Sequence, residues 1–154
     1  EQGAKRIYDG QLAVLGRSPA AAVIKRMAEQ EREHLEAFDR LLAERGVRPT
    51  VLSPLWHVGG FALGAASALL GTRAAMACTV AVEETIDAHY QGQIEALGDD
   101  EADLREKVVK FRDDELEHRN TGLAHGAEQA PGHALLDQGV RAGTRLAIWL
   151  SERI

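Results

Sequence analysis

The chain is poor in cysteine and in strand-like runs, and both absences narrow its class. It has one cysteine, Cys78, among 154 residues, which excludes a disulfide framework and a cysteine-rich metal site. No run of alternating β-branched residues is long enough to predict a strand. With 45% hydrophobic and 27% charged residues, the sequence predicts a single all-α domain over residues 1–154.

Excess positive charge and a membrane-spanning run are lacking as well. The net charge of -6 does not supply a dense basic surface, so we expect no nucleic-acid partner. The most apolar stretch, residues 55–71, is rich in glycine and shorter than the roughly 20 residues of a transmembrane helix. No signal or transit sequence opens the chain, and because Glu1 is itself a candidate ligand, we expect further residues upstream.

Apolar periodicity and turn residues divide the chain into helices. Ser18 is predicted to cap the second helix, and Gly46 to end it. Two antiparallel hairpins are predicted, separated by a linker over residues 47–54 and the apolar stretch. This order predicts a ferritin-like four-helix bundle with a long crossover, which contains an apolar membrane-interface helix, and an additional C-terminal helix. The predicted helices span about 1–15, 18–46, 72–98, 101–122 and 133–153.

Two of these helices carry the same motif, Glu-x-x-His, on an otherwise apolar face. Positions i and i+3 share a helix face, so each pair can direct a carboxylate and an imidazole to one point. A further Glu precedes each motif by about thirty residues; of the adjacent Glu83 and Glu84, the apolar stripe favours Glu83. The six candidate metal ligands and catalytic residues are Glu1, Glu31, His34, Glu83, Glu115 and His118.

Two carboxylate helices and two Glu-x-x-His helices are the ligand pattern of di-metal ferritin-like proteins. Four carboxylates neutralise two Fe²⁺ ions, and hard oxygen ligands also suit Fe³⁺, so the set favours O₂ activation. The zinc protease motif His-Glu-x-x-His is absent. Without metal, the four carboxylates should repel one another and raise the pKa of at least one. A ferroxidase, a rubrerythrin-like peroxidase and a membrane-associated scaffold with incidental Glu and His residues stay open as alternatives.

The connecting segments add a more specific resemblance. RIYDGQLAVLG, EQEREHLEAF, RPTVLSPLWHVGGFALGAASALLG, AAMACTVAVEETIDAHY, FRDDELEHRNTGLAHGAEQAP and AIWLSERI together resemble the demethoxyubiquinone hydroxylase family of coenzyme Q biosynthesis. The resemblance implies a di-iron monooxygenase that hydroxylates the ring of a demethoxyubiquinol, a polyprenylated quinol. It would use O₂, two Fe ions cycling between Fe²⁺ and Fe³⁺, and electrons from NADH. The same six residues would be its ligands.

The resemblance also implies roles outside the ligand set. His89 and Tyr90 match positions near the substrate and the electron path, and Tyr8 is a third candidate there. The family works at a membrane surface, on the matrix face of the mitochondrial inner membrane or the cytoplasmic face of the bacterial one, and eukaryotic members have a lipid-binding partner protein. A homo-oligomer stays open. For the apolar segment, core packing is the alternative to membrane contact, whose candidate residues are Leu52, Leu55, Trp56, Phe61 and Leu63.

Overall fold

Six α-helices form most of the described chain, residues 2–154, in this computed structural model. Two short 3₁₀ turns precede the last two helices, and no strand occurs over these residues. The predicted all-α, ferritin-like fold class is therefore confirmed. The helices are α1 (Gln2–Leu15), α2 (Ala21–Glu44), α3 (Ser53–Leu69), α4 (Thr72–Ala96), α5 (Ala102–Ala124) and α6 (His133–Ser151).

Side-chain contacts fix the direction in which the bundle helices run. Tyr8 of α1 bonds to Glu83 of α4, and Gln11, one turn later, bonds to Thr79, one turn earlier. Because one number rises as the other falls, α1 and α4 are antiparallel. The contacts between α2 and α5, described below, have the same reversed order. Four helices thus surround one interior, with α3 and α6 packed against the outside of α1 and α4.

The apolar helix α3 forms the crossover and runs parallel to α1 at very short range. A Cβ atom added to Gly64 would lie 1.9 Å from the backbone oxygen of Ile7, and one added to Gly60 would lie 2.6 Å from that of Gly3, so the numbers along the two helices rise together. Such distances are far inside van der Waals contact, so only glycine permits this approach of the two backbones. The glycine content of the apolar segment thus has a packing role.

The start of α2 differs from the prediction, whereas its end agrees. The Ser18 hydroxyl makes no cap bond; instead its backbone oxygen accepts from Ala21 N at 3.0 Å, and α2 begins at Ala21. Residues 18–20 form a turn of their own, so the prediction of a Ser18 cap is wrong. Gly46 has φ of +63°, the left-handed conformation that ends helices and favours glycine.

Apolar side chains fill the interior on both sides of a band of ionisable residues. Along α4, Val80 belongs to one apolar cluster and Ile86 to the other, and Glu83 lies between them. The first cluster includes Met27 from α2, and the second includes Phe111 from α5. This arrangement places acidic residues at mid-height of the bundle, away from solvent.

Candidate metal centre

Three glutamates and one histidine from three helices converge inside the bundle. Each offers a ligand atom, and all four ligand atoms lie within 4.8 Å of one another. All four residues are at most 1% exposed. We call them the acidic cluster; its members are Glu31 on α2, Glu83 on α4, and Glu115 and His118 on α5.

His34, the histidine of the first motif, lies beside the acidic cluster. Its Nδ1 is 3.2 Å from Glu115 Oε1, while His118 Nδ1 is 3.3 Å from both Glu31 Oε1 and Glu115 Oε2. Both imidazoles therefore turn Nδ1 inward. The structure brings together five of the six predicted ligands, and the sixth, Glu1, lies outside the described residues.

The residues of the acidic cluster fit a metal-ion site. Oε2 of Glu31 and Oε2 of Glu83 are buried without a hydrogen-bond partner among the described residues. Burying a carboxylate without compensation is costly, and a bound cation is one way to compensate it. Hard carboxylate oxygens combined with imidazole nitrogens suit iron or manganese. The donor chemistry thus agrees with the di-iron interpretation of the sequence.

In the absence of a cation, a proton on His118 supplies the positive charge. Burial lowers the pKa of its imidazole, but hydrogen bonds to Glu115, Glu31 and Glu83 outweigh burial and raise that pKa to about 12. Burial raises the pKa of Glu31, yet the hydrogen bond and charge of His118 bring it below its usual value. The sequence predicts a raised carboxyl pKa in the metal-free site, and Glu31 is not that carboxyl.

Tyr8 extends the acidic cluster onto α1. Its hydroxyl donates a hydrogen bond to Glu83 Oε1 at 2.5 Å, and its ring meets the His118 ring edge to face at 5.9 Å. Burial first, and then the negative charge of Glu83, raise the pKa of this phenol well above its usual value. Tyr8 is therefore a neutral donor at physiological pH. Tyr8, a predicted substrate or electron-path residue, thus contacts the predicted ligand Glu83.

Two residues at the site were missed by the sequence interpretation. Asp114 Oδ2 lies 3.0 Å from His34 Nε2, and Gln30 Oε1 lies 3.1 Å from His118 Nε2. Each immediately precedes the glutamate of a Glu-x-x-His motif. That shared register was a readable signal, but the partner of each residue is on another helix and is invisible in the sequence.

Tyr90 is buried and joined to the site through a row of aromatic rings. Tyr90 stacks on Phe38 at 6.3 Å, Phe38 meets Phe111 at 5.3 Å, and Phe111 lies 4.2 Å from the His34 ring. His89 instead turns outward, where its Nε2 contacts Gln93 at 3.1 Å. Of the two neighbours, Tyr90 alone has this aromatic connection to the site among the contacts described.

Glu84, the alternative to Glu83 as a candidate ligand, faces away from the acidic cluster. It accepts a hydrogen bond from Arg119 Nε at 2.6 Å and another from Arg141. Burial raises the pKa of Glu84, but the two guanidinium groups bring it below its usual value. Glu84 thus links α4, α5 and α6 at the periphery of the bundle.

The candidate membrane residues have differing environments. Leu55 is 55% exposed, whereas Leu52, Trp56, Phe61 and Leu63 are half-buried. The Trp56 indole donates a hydrogen bond to Ser151 of α6 at 2.8 Å. Within residues 2–154, no helix has the length and hydropathy needed to cross a bilayer. Further apolar side chains exposed on or beside α3 and on or beside α6 are Val51, Val58, Leu69, Leu70, Leu135, Leu146, Trp149 and Ile154.

Fold and site together define a class: an all-α, ferritin-like bundle with a buried cluster of glutamates and histidines at its centre. The model of the family described as ubiquinone biosynthesis protein COQ7 matches residues 1–151. The chain belongs to this family, and the resemblance drawn from its segments is confirmed.

Individual relatives cover the whole chain. A 3-demethoxyubiquinol 3-hydroxylase of Rhodospirillum rubrum is 57% identical over 155 residues, which include 100% of this chain and 73% of the relative. The human mitochondrial NADPH-dependent 3-demethoxyubiquinone 3-hydroxylase is 54% identical over 158 residues, with the same shares covered. The mitochondrial 5-demethoxyubiquinone hydroxylase of Saccharomyces cerevisiae is 40% identical over 171 residues, again with 100% and 73% covered.

Proposed function

We propose that this chain is a di-iron monooxygenase that hydroxylates the ring of a demethoxyubiquinol in ubiquinone biosynthesis, using O₂ and reducing equivalents from a nicotinamide nucleotide. The observation that carries the proposal is the acidic cluster, found in a chain whose relatives are named as hydroxylases of this ring. Those names do not favour the ferroxidase and peroxidase alternatives. The residues that would hold the metal are Glu1, Glu31, His34, Glu83, Glu115 and His118.

The protein's own contribution is to position ligands and to exclude water. When bound, two iron ions would supply the activation of O₂. Tyr8 holds the Glu83 carboxylate through its hydroxyl, and the burial of Glu31, Glu115 and His118 keeps bulk solvent from the reacting region. The neutral phenol of Tyr8 adds a donor without adding charge.

An electron path through the aromatic row is part of the proposal. Tyr90, Phe38 and Phe111 form consecutive ring contacts that end at His34. His89, next to Tyr90 and half-buried, would lie at the outer end of this path, where a donor could approach. The printed name of the human relative includes NADPH, whereas the resemblance implied NADH. Hydroxylation assays with each nucleotide separate these donors.

We further propose that the chain acts as a peripheral protein at a membrane surface, where a polyprenylated substrate resides. The exposed apolar residues of α3 and α6, among them Leu55, Val58 and Trp149, support this placement. A groove of about 380 Å³ between these helices, lined by residues such as Leu63 and Val140, suits an isoprenoid tail. The proposed membrane is the mitochondrial inner membrane or the bacterial inner membrane. A lipid-binding partner protein is proposed to act there together with the chain.

Oxygen-18 incorporation tests the proposed reaction. Iron-loaded protein on lipid vesicles is given a short-tailed demethoxyubiquinol, oxygen-18 gas and reductant, and the product is analysed by mass spectrometry. We expect one labelled oxygen per product ring with the wild type and none with Glu31→Ala. The control Glu33→Ala alters an exposed glutamate of the same helix and should retain activity. Full labelling by Glu31→Ala protein with intact helices would overturn the assignment.

A further inference from the structure

Each of the two histidines of the site has an outer hydrogen-bond partner, which we call its brace. One brace is a carboxylate and the other is a neutral amide. His34 Nε2 lies 3.0 Å from the Asp114 carboxylate, and His118 Nε2 lies 3.1 Å from the Gln30 side-chain oxygen. The bracing is reciprocal, since Gln30 on α2 serves a histidine of α5 and Asp114 on α5 serves a histidine of α2. The geometry is nearly symmetric, but the charge is not.

These bonds determine which nitrogen of each ring can take a metal. An ionised carboxylate and an amide oxygen are both acceptors, so Nε2 of each imidazole must carry the hydrogen and donate it outward. In the neutral ring that a metal would bind, the unprotonated nitrogen is then Nδ1, which points toward the acidic cluster in both histidines. Asp114 and Gln30 thus fix the tautomer and the orientation of the rings.

The strength of the two braces differs because their charges differ. A carboxylate that accepts the N–H bond makes the imidazole a stronger electron donor to a metal, and a neutral amide does so less. The Asp114 side chain is only 24% exposed and His34 only 2%, so solvent screens this interaction weakly. The ring of His34 therefore receives more electron density than the ring of His118.

We propose that Asp114 and Gln30 are positioning residues that make the two metal positions inequivalent. This inference rests on the proposed di-metal site. Asp114 strengthens metal binding at the position beside His34, and Gln30 leaves the position beside His118 with the weaker brace. Removing the charge of Asp114 selectively weakens metal binding at the position beside His34. Adding a charge at Gln30 strengthens metal binding at the position beside His118.

Anaerobic Fe²⁺ binding tests the inference without reference to turnover. Binding isotherms are recorded for the wild type, Asp114→Asn and Gln30→Glu, and iron-57 Mössbauer spectra are taken after one and two equivalents. We expect two iron ions in the wild type with two distinct spectral components. Asp114→Asn should weaken one binding step by about 10- to 100-fold and alter one component, and Gln30→Glu should tighten the other step.

A matched control and two contrary outcomes complete the test. Asp113→Asn removes the same charge from the exposed neighbour of Asp114 and should leave both steps unchanged. If two ions bind but neither substitution separates the steps, or Asp114→Asn shifts both equally, the inference is overturned while the metal centre stands. If the wild type binds fewer than two ions, the proposed di-iron centre fails and the inference fails with it.

Discussion

Tyr8 Oη lies 2.5 Å from Glu83 Oε1, and this bond joins α1 to α4 at the centre of the bundle. Tyr8 is 1% exposed, so solvent is kept from its hydroxyl. A phenol has one hydrogen to donate, and here that hydrogen goes to a carboxylate that belongs to the acidic cluster. The orientation of Glu83 thus depends on a side chain from another helix.

Tyr8→Phe removes this donor and keeps the ring. We expect kcat for ring hydroxylation to fall by about 10- to 100-fold, which is the usual effect of losing a partner that orients a ligand. Metal retention on dialysis should fall as well, because Glu83 loses its fixed orientation. Steady-state assays and iron analysis measure the two effects.

Ser67→Ala is the control for Tyr8→Phe. It also removes a buried hydroxyl, but that hydroxyl donates to the Gly64 carbonyl within α3. Its kcat and iron content should match those of the wild type. Equal kcat in Tyr8→Phe and wild-type protein would contradict the role given to Tyr8.

The metal-free site should release a proton when it takes up metal. The pKa of His118 is raised from 6.5 to about 12, so at pH 7.5 its imidazole is protonated without metal. A metal needs the neutral ring, and we expect release of about one proton per chain from His118. Calorimetry of Fe²⁺ binding in two buffers of unlike ionisation enthalpy measures this number. Zero net release would contradict the prediction, and the exposed-histidine variant His57→Ala should behave as the wild type does.

The same pKa gives the sign of a stability effect. Because folding raises the pKa of His118, its protonated ring stabilises the metal-free chain fully below about pH 6.5. That contribution declines as the pH rises toward 12. The melting temperature of metal-free protein should therefore fall over this range more steeply than that of the iron-loaded protein. Parallel pH profiles for the two forms would argue against a proton held by the acidic cluster.

Because α1 and α3 touch at glycines, we expect one added methyl group at this contact to lower the stability of the fold strongly. Gly64→Ala would place a Cβ 1.9 Å from the Ile7 carbonyl oxygen, and backbone must move to relieve it. We expect the free energy of unfolding to fall by about 1–3 kcal/mol, the usual range for overpacking.

Gly59→Ala is the matched control, since its Cβ would meet nothing within 4 Å. That variant should be as stable as the wild type or more stable by about 0.5–1 kcal/mol. Urea denaturation compares the three proteins, and equal midpoints would contradict the close contact.

The exposed face of α3 predicts weaker lipid binding for charged variants. Leu55 and Val58 are 55% and 71% exposed, so Leu55→Glu and Val58→Glu should leave the fold intact. Loss of apolar burial in lipid and repulsion by anionic headgroups should reduce vesicle binding by at least about tenfold each. Val109→Glu, at an exposed valine of α5 that is 40% accessible, is the control. Flotation with anionic vesicles measures binding, and unchanged flotation of both α3 variants would place the lipid contact elsewhere.

The helices and the inward placement of Glu31 and Glu115 could be predicted because both follow from local spacing. Ionisable residues at positions i and i+3 of an apolar helix face point into the interior, because that face packs against the core. The Ser18 cap could not be judged in this way, since a turn that depends on the backbone of residues 15–21 competes with it. Asp114 was missed because its partner is 80 residues away in sequence. Contacts between helices depend on packing angles that a single sequence does not specify.

The close approach of α1 and α3 also limits the distance that the proposed substrate would travel from the surface of α3 to the acidic cluster. Ile7 and Tyr8 are neighbours, yet one has its backbone against Gly64 of α3 while the other bonds to Glu83. The helix α1 thus lies between α3 and the acidic cluster, and neighbouring helix axes are about 8–10 Å apart. On the proposed function, a quinol ring leaving a lipid surface at α3 would cross the thickness of about two helices, α3 and α1, to react. Its isoprenoid tail could stay in the lipid throughout, so one enzyme could serve tails of different length.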